Sequence, residues 1–235
     1  MNSIRTTARL AGLIWFLSGV TGGFALFYVR SRVIVSGDAA ATAANIMASE
    51  FLFRAAIVSN LLSQVFLFCF GLTMHQLFKE VNKAWATVFL TSVMMTVGIA
   101  VVNALNSFGA LLVLSGDVYL KAFTPEQLNA MSMFFLRLGN GIGQGLLEIF
   151  WTPFFFSFGW LLIKSRFLPK ILGLLLMIMS VGYAVNILTK FLIPQFYPMA
   201  FTRLAMTLGA LGGLPTIFWL LIKGAKAQTS DEHAT

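Results

Sequence analysis

The stretch Arg137-Leu138-Gly139-Asn140-Gly141-Ile142-Gly143-Gln144-Gly145-Leu146-Leu147-Glu148 lies inside a long apolar run and is its most polar part. On an α-helix, at roughly 100° per residue, Arg137, Asn140, Gln144 and Glu148 fall within an arc of about 80°. They make one stripe, and it ends in a carboxylate that a bilayer interior disfavours. An apolar run with a single polar stripe reads as a membrane-spanning helix whose stripe faces other helices.

Composition agrees with that reading. The chain has 235 residues, 58% hydrophobic and 10% charged, whereas a soluble domain carries about a quarter charged residues. Several apolar runs exceed about 18 residues, the length a bilayer core demands. They do not alternate, as the strands of a membrane β-barrel would. The expected fold is all-α, a polytopic membrane helical bundle. Its six transmembrane helices are placed at 10–29, 55–78, 84–114, 128–163, 170–192 and 200–222. The run from Leu10 to Val29 is about 20 residues, too long for the apolar part of a signal peptide, so it is taken as a retained span. One membrane domain is expected over 1–226, followed by a polar cytoplasmic tail at 227–235.

Two local signals fix helix starts. Asp38, after Gly37 and before an alanine-rich run, suits an N-cap, so a short interfacial helix is expected from about Ala39 toward the second span. Thr124-Pro125-Glu126-Gln127 is a capping box with proline at the first helical position. The fourth helix then runs for about 39 residues, or about 58 Å, longer than the bilayer core is thick.

The net charge is +8, with the basic residues scattered at helix ends. That pattern fits the lipid bilayer and its anionic headgroups, and not nucleic acid, which needs a basic patch on one folded face. Arg5, Arg9, Lys79, Lys83, Lys164, Arg166, Lys170, Lys223 and Lys226 fall on one side, and Arg30, Arg32 and Lys121 on the other. The excess places both termini in the cytoplasm. Cys69 is the only cysteine, so no intrachain disulfide forms. His75 and His233 are the only histidines, which leaves no multi-histidine metal site. No cofactor is expected.

Depth orders the remaining polar residues. Counting about 20 residues outward from each cytoplasmic lysine or arginine covers roughly 30 Å. Arg54, Asn103, Asn106, Arg137, Asn186, Lys190 and Arg203 then reach the outer boundary. Asn60, Gln64, Asn140, Gln144 and Glu148 lie in the outer half or at its edge, and the inner half keeps scattered serine and threonine. This layer defines an expected outward-facing polar cavity. Its candidate ligand-binding residues are Arg54, Asn60, Gln64, Asn103, Arg137, Asn140, Gln144, Glu148, Asn186, Lys190 and Arg203.

The same residues also have plainer uses. Arg54, Arg137 and Arg203 stand near Phe51, Phe134 and Phe201 and suit interface anchoring. Asparagine and glutamine tie helices together at about 0.6 kcal/mol per hydrogen bond. Glu148 is the costlier residue, at about 2.5–3.5 kcal/mol near the membrane centre. Arg137 is about 16 Å away along the helix, so a cation from another helix (Arg54, Lys190 or Arg203) or a proton must meet the charge. Gly139, Gly141, Gly143 and Gly145 allow two neighbours to approach closely, or the helix to unwind as in broken transporter helices. Their likeness to a nucleotide-binding glycine fingerprint fails because no strand precedes them.

The segment Phe27-Tyr28-Val29-Arg30-Ser31-Arg32-Val33-Ile34-Val35-Ser36-Gly37-Asp38-Ala39-Ala40-Ala41-Thr42-Ala43-Ala44-Asn45-Ile46, continuing through Ser49-Glu50 to Phe53-Arg54, resembles the signature of a bacterial family of six-span membrane proteins described only as a domain of unknown function. The likeness continues in Leu114-Ser115-Gly116-Asp117-Val118-Tyr119-Leu120, in Phe123-Thr124-Pro125-Glu126-Gln127-Leu128 and in Phe167-Leu168-Pro169-Lys170-Ile171-Leu172-Gly173. Ser36 stands where proline is expected. The resemblance implies six spans and a bacterial inner membrane, and no activity.

Three functions fit this sequence. The first is binding or transport of a small amphipathic or anionic ligand in the polar cavity, with residues 39–50 over it. The second is a scaffold that docks a partner protein through residues 30–50. The third is an intramembrane lipid-modifying enzyme with Glu148 as acid or base. No catalytic residue is assigned, because no nucleophile pairs with histidine and no acidic cluster would hold Mg²⁺. Nothing in the sequence signals an oligomeric state.

Overall fold

The structure is a computed structural model and describes residues 2–193 and 199–225. It is helical, with no strand among the described residues. Helix α1 (Asn2–Gly23) passes through a π-helical segment (Phe24–Val29) into α2 (Arg30–Val33). Then follow α3 (Ala39–Ala48), α4 (Glu50–Phe78) and α5 (Lys83–Leu112). After a 3₁₀ turn at Val118–Ala122, α6 (Pro125–Leu138) runs through a second π-helical segment (Gly139–Gly143) into α7 (Gln144–Ser165). Helices α8 (Lys170–Leu192) and α9 (Met199–Ile222) complete the described chain.

Among the described residues, five helical stretches are long and apolar enough to cross a membrane: Ile4–Val33, Glu50–Phe78, Lys83–Leu112, Pro125–Ser165 and Lys170–Leu192. These make the chain a multi-pass membrane protein. The sequence places a sixth span at 200–222; α9 is present there, and its described apolar part is Thr207–Ile222. The first span is longer than the hydropathy run alone indicates, because the backbone stays helical through Arg30 and Arg32. Pro194, Pro198, Lys226 and the tail at 227–235 lie outside the described residues.

Both helix-start signals are realised. Asp38 caps α3 by accepting the Ala41 N–H at 2.8 Å. Thr124 accepts the Gln127 N–H while the Gln127 side chain accepts the Thr124 N–H, the two halves of the capping box. Gly37, at φ +83°, makes the left-handed turn that sends the chain into α3. Helix α3 stops at Ser49 instead of running on, and α4 starts at Glu50.

The chain forms two compact units. The first draws on Met1–Phe16, Phe66–Thr96 and Glu148–Thr235, the second on Leu17–Val65 and Val97–Leu147. Apolar burial gives no net drive between helices already in lipid, so contact quality decides their association. In the first unit that contact is aromatic. Phe70, Phe78, Phe89 and Phe158 are fully buried, with Trp15 stacked on Phe70 at 4.8 Å and Phe89 on Phe158 at 5.4 Å. Close backbone approach supports it: a Cβ on Gly159 or on Gly173 would run into the carbonyl oxygen of the other. Arg5 and Arg9 of α1 donate to the Lys223 and Ile222 carbonyls at the end of α9.

The second unit has a mainly aliphatic core of Val29, Val33, Ile46, Ile57, Ala110, Leu111 and Leu136, with Phe53 its one buried ring. Hydrogen bonds fix its connector. The Thr42 hydroxyl accepts the Val35 N–H at 3.0 Å, and Asn45 Nδ2 donates to the Val33 carbonyl. Ser59 donates to the Thr21 carbonyl and Ser18 to that of Ser63, tying α1 to α4.

The Gly159–Gly173 contact leaves no room for a side chain, and overpacking costs about 1–3 kcal/mol or more. Gly173→Val is expected to lower the thermal midpoint in detergent by several degrees. Gly213→Ala, where a Cβ meets nothing within 4 Å, is expected to leave it unchanged or raised. Equal midpoints for the two variants would contradict this packing.

Candidate functional site

The glycine-rich stretch neither breaks nor keeps α-helical geometry. Gly139–Gly143 is π-helical, and the Gln144 N–H donates to the carbonyl of Gly139, five residues back. A π turn takes an extra residue, so the arc calculated for an α-helix does not hold across it. Arg137 is exposed, while Asn140 and Gln144 are half-buried. The stripe expected of Arg137, Asn140, Gln144 and Glu148 rests on that α-helical phase, and burial rises along it from Arg137 to Glu148.

What fills the groove along this π segment comes from α5. Asn103 Nδ2 donates to the Gly139 carbonyl at 3.2 Å. Asn106 Nδ2 donates to Asn103 Oδ1 at 2.9 Å and to the Asn103 carbonyl at 3.2 Å. The Asn103 side chain occupies the space that a Cβ on Gly143 would need. This asparagine pair thus locks α5 to the π segment. Asn106 completes the lock, and its position three residues after Asn103 on one helix was the signal for it.

In the same unit, Gln64 Nε2 donates to the Ser63 hydroxyl at 2.9 Å, and its Oε1 is buried without a donor among the described residues. Asn60, four residues earlier, is exposed, so the two do not share one buried surface. Arg54 is exposed and turned toward its own helix, with Nε 2.7 Å from Glu50 Oε1.

The first unit holds the buried carboxylate. Glu148 is 5% exposed and Asn186, on α8, is 3% exposed. Asn186 Nδ2 donates to Glu148 Oε2, and Asn186 Oδ1 has no donor among the described residues. Lys190 lies one turn further along α8. The direct bond to Glu148 comes from Asn186, a carboxamide, and not from a cation. Arg203 is exposed on α9.

Hydroxyl groups extend this cluster along α7 and α8. Thr152 donates to the Glu148 carbonyl at 3.1 Å, and Ser180 donates to the Thr152 carbonyl at 2.8 Å. Tyr183 of α8 packs against Trp151 and Phe155 of α7, an aromatic wall on the two helices that carry Glu148 and Asn186. The sequence did not mark Tyr183 as part of the site; its spacing of three from Asn186 was the available signal. Among the described residues no three His, Cys, Asp or Glu side chains gather, so the cluster is a carboxylate–carboxamide pair. It can hold a polar group or a proton by hydrogen bonds.

A separate cleft of about 240 Å³ opens in the second unit, lined by Leu114, Asp117, Lys121, Phe123, Leu128 and Asn129. Asp117 there accepts the Ser115 hydroxyl at 2.7 Å. None of the residues expected to bind ligand lines it.

The asparagine lock predicts a coupled pair of substitutions. Gly143→Ala should destabilise the protein by about 1–3 kcal/mol through overpacking. Adding Asn103→Ala should return part of that loss, with a coupling energy of about 0.5–3 kcal/mol. A double-mutant cycle on thermal or denaturant stability measures it, and additive losses would contradict the contact.

The family profile described as Domain of unknown function (DUF4386) matches residues 10–224, and the chain belongs to that family. No curated protein and no solved structure matches it.

Proposed function

We propose that this family member binds or carries a small amphipathic or anionic ligand within the membrane, and that Glu148, Asn186 and Lys190 are the centre of its site. The observation that carries the proposal is the buried Glu148–Asn186 pair. A charged side chain near the membrane centre costs about 2.5–3.5 kcal/mol. Two aliphatic side chains would fill the same space without that penalty, so helix packing alone gives no reason for a carboxylate here.

The roles follow from charge and hydrogen-bonding capacity. Lys190 meets an anionic group. Glu148 and Asn186 orient a polar group, and the aromatic wall of Trp151, Phe155 and Tyr183 receives an apolar portion. The phenylalanine-rich core of the same unit offers nothing to solvate an ion, which favours a binding protein or carrier over an open channel.

The proposed setting is a bacterial inner membrane, with one domain of six spans over 1–226 and both termini in the cytoplasm. Helix α9, with 24 residues, supports the sixth span, since at 1.5 Å per residue it reaches about 36 Å. The basic residues at Lys79, Lys83, Lys164, Arg166 and Lys170 support the orientation.

Two experiments test this. In a Cys69→Ala background, Asn82→Cys should be labelled from the cytoplasmic side and Asp117→Cys from the outer side; labelling of both from one side overturns the topology. Purified protein should be stabilised by small amphipathic carboxylates or phosphate esters, by about 2.7 kcal/mol at a hundredfold excess over Kd. Glu148→Gln, Asn186→Leu and Lys190→Gln should each weaken binding about tenfold or more, as the loss of a charge-assisted bond worth about 1.5–3 kcal/mol requires. The exposed-site control Leu174→Ala should not. Unchanged binding in all three site variants would remove the proposed site.

A further inference from the structure

Asn186 uses only one arm of its carboxamide. Its Nδ2 donates to Glu148 Oε2, while its Oδ1 is buried and receives no donor among the described residues. Buried carboxamide oxygens are nearly always satisfied, so a missing donor beside a carboxylate asks for a physical account. Lys190, one turn on along α8, does not provide it, since Asn186 Oδ1 stays without a donor.

A carboxyl group and a primary carboxamide are planar forks of the same span. When the acid is neutral, the two close a ring of two hydrogen bonds. The amide N–H donates to one acid oxygen, and the acid O–H donates to the amide oxygen. Here the first bond is already made. The second would need a hydrogen on Glu148 Oε1, and a donor is what Asn186 Oδ1 lacks.

We propose that Glu148 is a proton-binding site, with the proton carried on Oε1 and donated to Asn186 Oδ1. Loading takes one proton from water and forms one O–H bond, and the carboxylate becomes a neutral acid. Release breaks that bond, returns the proton to water and restores the negative charge. No other bond changes and no oxidant or co-reactant is needed.

The surroundings fit both states. On α8, the helix that supplies Asn186, the nearest titratable groups along the chain are Tyr183 and Lys190, one turn to either side of it. Lys190 provides a counter-charge for the unloaded state. Thr152, on α7 itself, spends its hydroxyl on the Glu148 backbone carbonyl. From α1, Arg5 and Arg9 are engaged with the Lys223 and Ile222 carbonyls, and on α9 Arg203 is exposed. The neutral acid–amide ring satisfies the buried oxygen and removes the charge from an apolar interior. The proposal deepens the ligand-binding reading, since proton and ligand would meet at the same residues, but the proton is measured without ligand.

The test is infrared spectroscopy of the full-length protein in lipid vesicles, titrated over the pH range in which it stays folded. A carboxylic-acid C=O band is expected that shifts on exchange into D₂O, disappears in Glu148→Gln, and moves to higher frequency in Asn186→Leu as its hydrogen bonds are lost. The wild-type band and its loss in Glu148→Gln decide the matter alone if Asn186→Leu does not fold. A Glu148 signal that remains carboxylate across the range overturns the proposal, as it would if a bound water, not a proton, satisfied Asn186. So does an acid band indifferent to Asn186→Leu in folded protein. An acid band coupled to Asn186 with no ligand stabilisation upholds the proton site and removes the ligand reading.

Discussion

A lipid interior has no water with which to satisfy a polar group, so every polar side chain within a span must find its partner in the protein. Much of this structure answers that constraint. Serine and threonine hydroxyls mostly return to carbonyls of their own helix, as Thr91 does to Thr87 and Ser157 to Pro153. Asn106 donates to Asn103, and Asn103 to the Gly139 carbonyl. Glu148 and Asn186 satisfy each other in part, and leave one oxygen over. Gln64 Oε1 is likewise buried without a donor among the described residues, and what sets the α7–α8 pair apart is that its unsatisfied oxygen stands beside a buried carboxylate.

Glycine is the second means by which these helices associate. Gly159 and Gly173 bring α7 and α8 together backbone to backbone, and Gly209 and Gly212 admit Met179 and Leu175 of α8 against α9. Close approach multiplies dispersion contacts where the hydrophobic effect no longer distinguishes helix from lipid. The same absence of a side chain at Gly139 and Gly143 makes room for the Asn103 amide. One residue type thus serves packing in one unit and polar locking in the other.

The helical fold was legible because hydropathy over about 20 residues and local capping chemistry are properties of contiguous sequence. Asp38 and Thr124 cap the helices as their spacing indicates. Glu148 was legible as buried because exposure to lipid costs too much to leave it there. The phase of the polar stripe was not legible: it assumed 100° per residue, and the π segment at Gly139–Gly143 alters that count where the stripe begins. Side-chain orientation was equally hidden. Arg54 pairs with Glu50 on its own helix, and nothing in their spacing excludes another partner. That Asn186 would be the direct partner of Glu148 could not be read either, since it depends on how α7 and α8 rotate against each other.

The clasp at the end of α9 bears on how the chain is made. Arg5 and Arg9 reach carbonyls 218 and 213 residues further along the sequence. A ribosome delivers α1 to the translocon long before those acceptors exist, so the two guanidinium groups must wait, solvated or held by headgroups, until α9 arrives. Synthesis order therefore makes the clasp one of the latest contacts to form, and a chain interrupted before α9 would leave the start of its first helix unfastened.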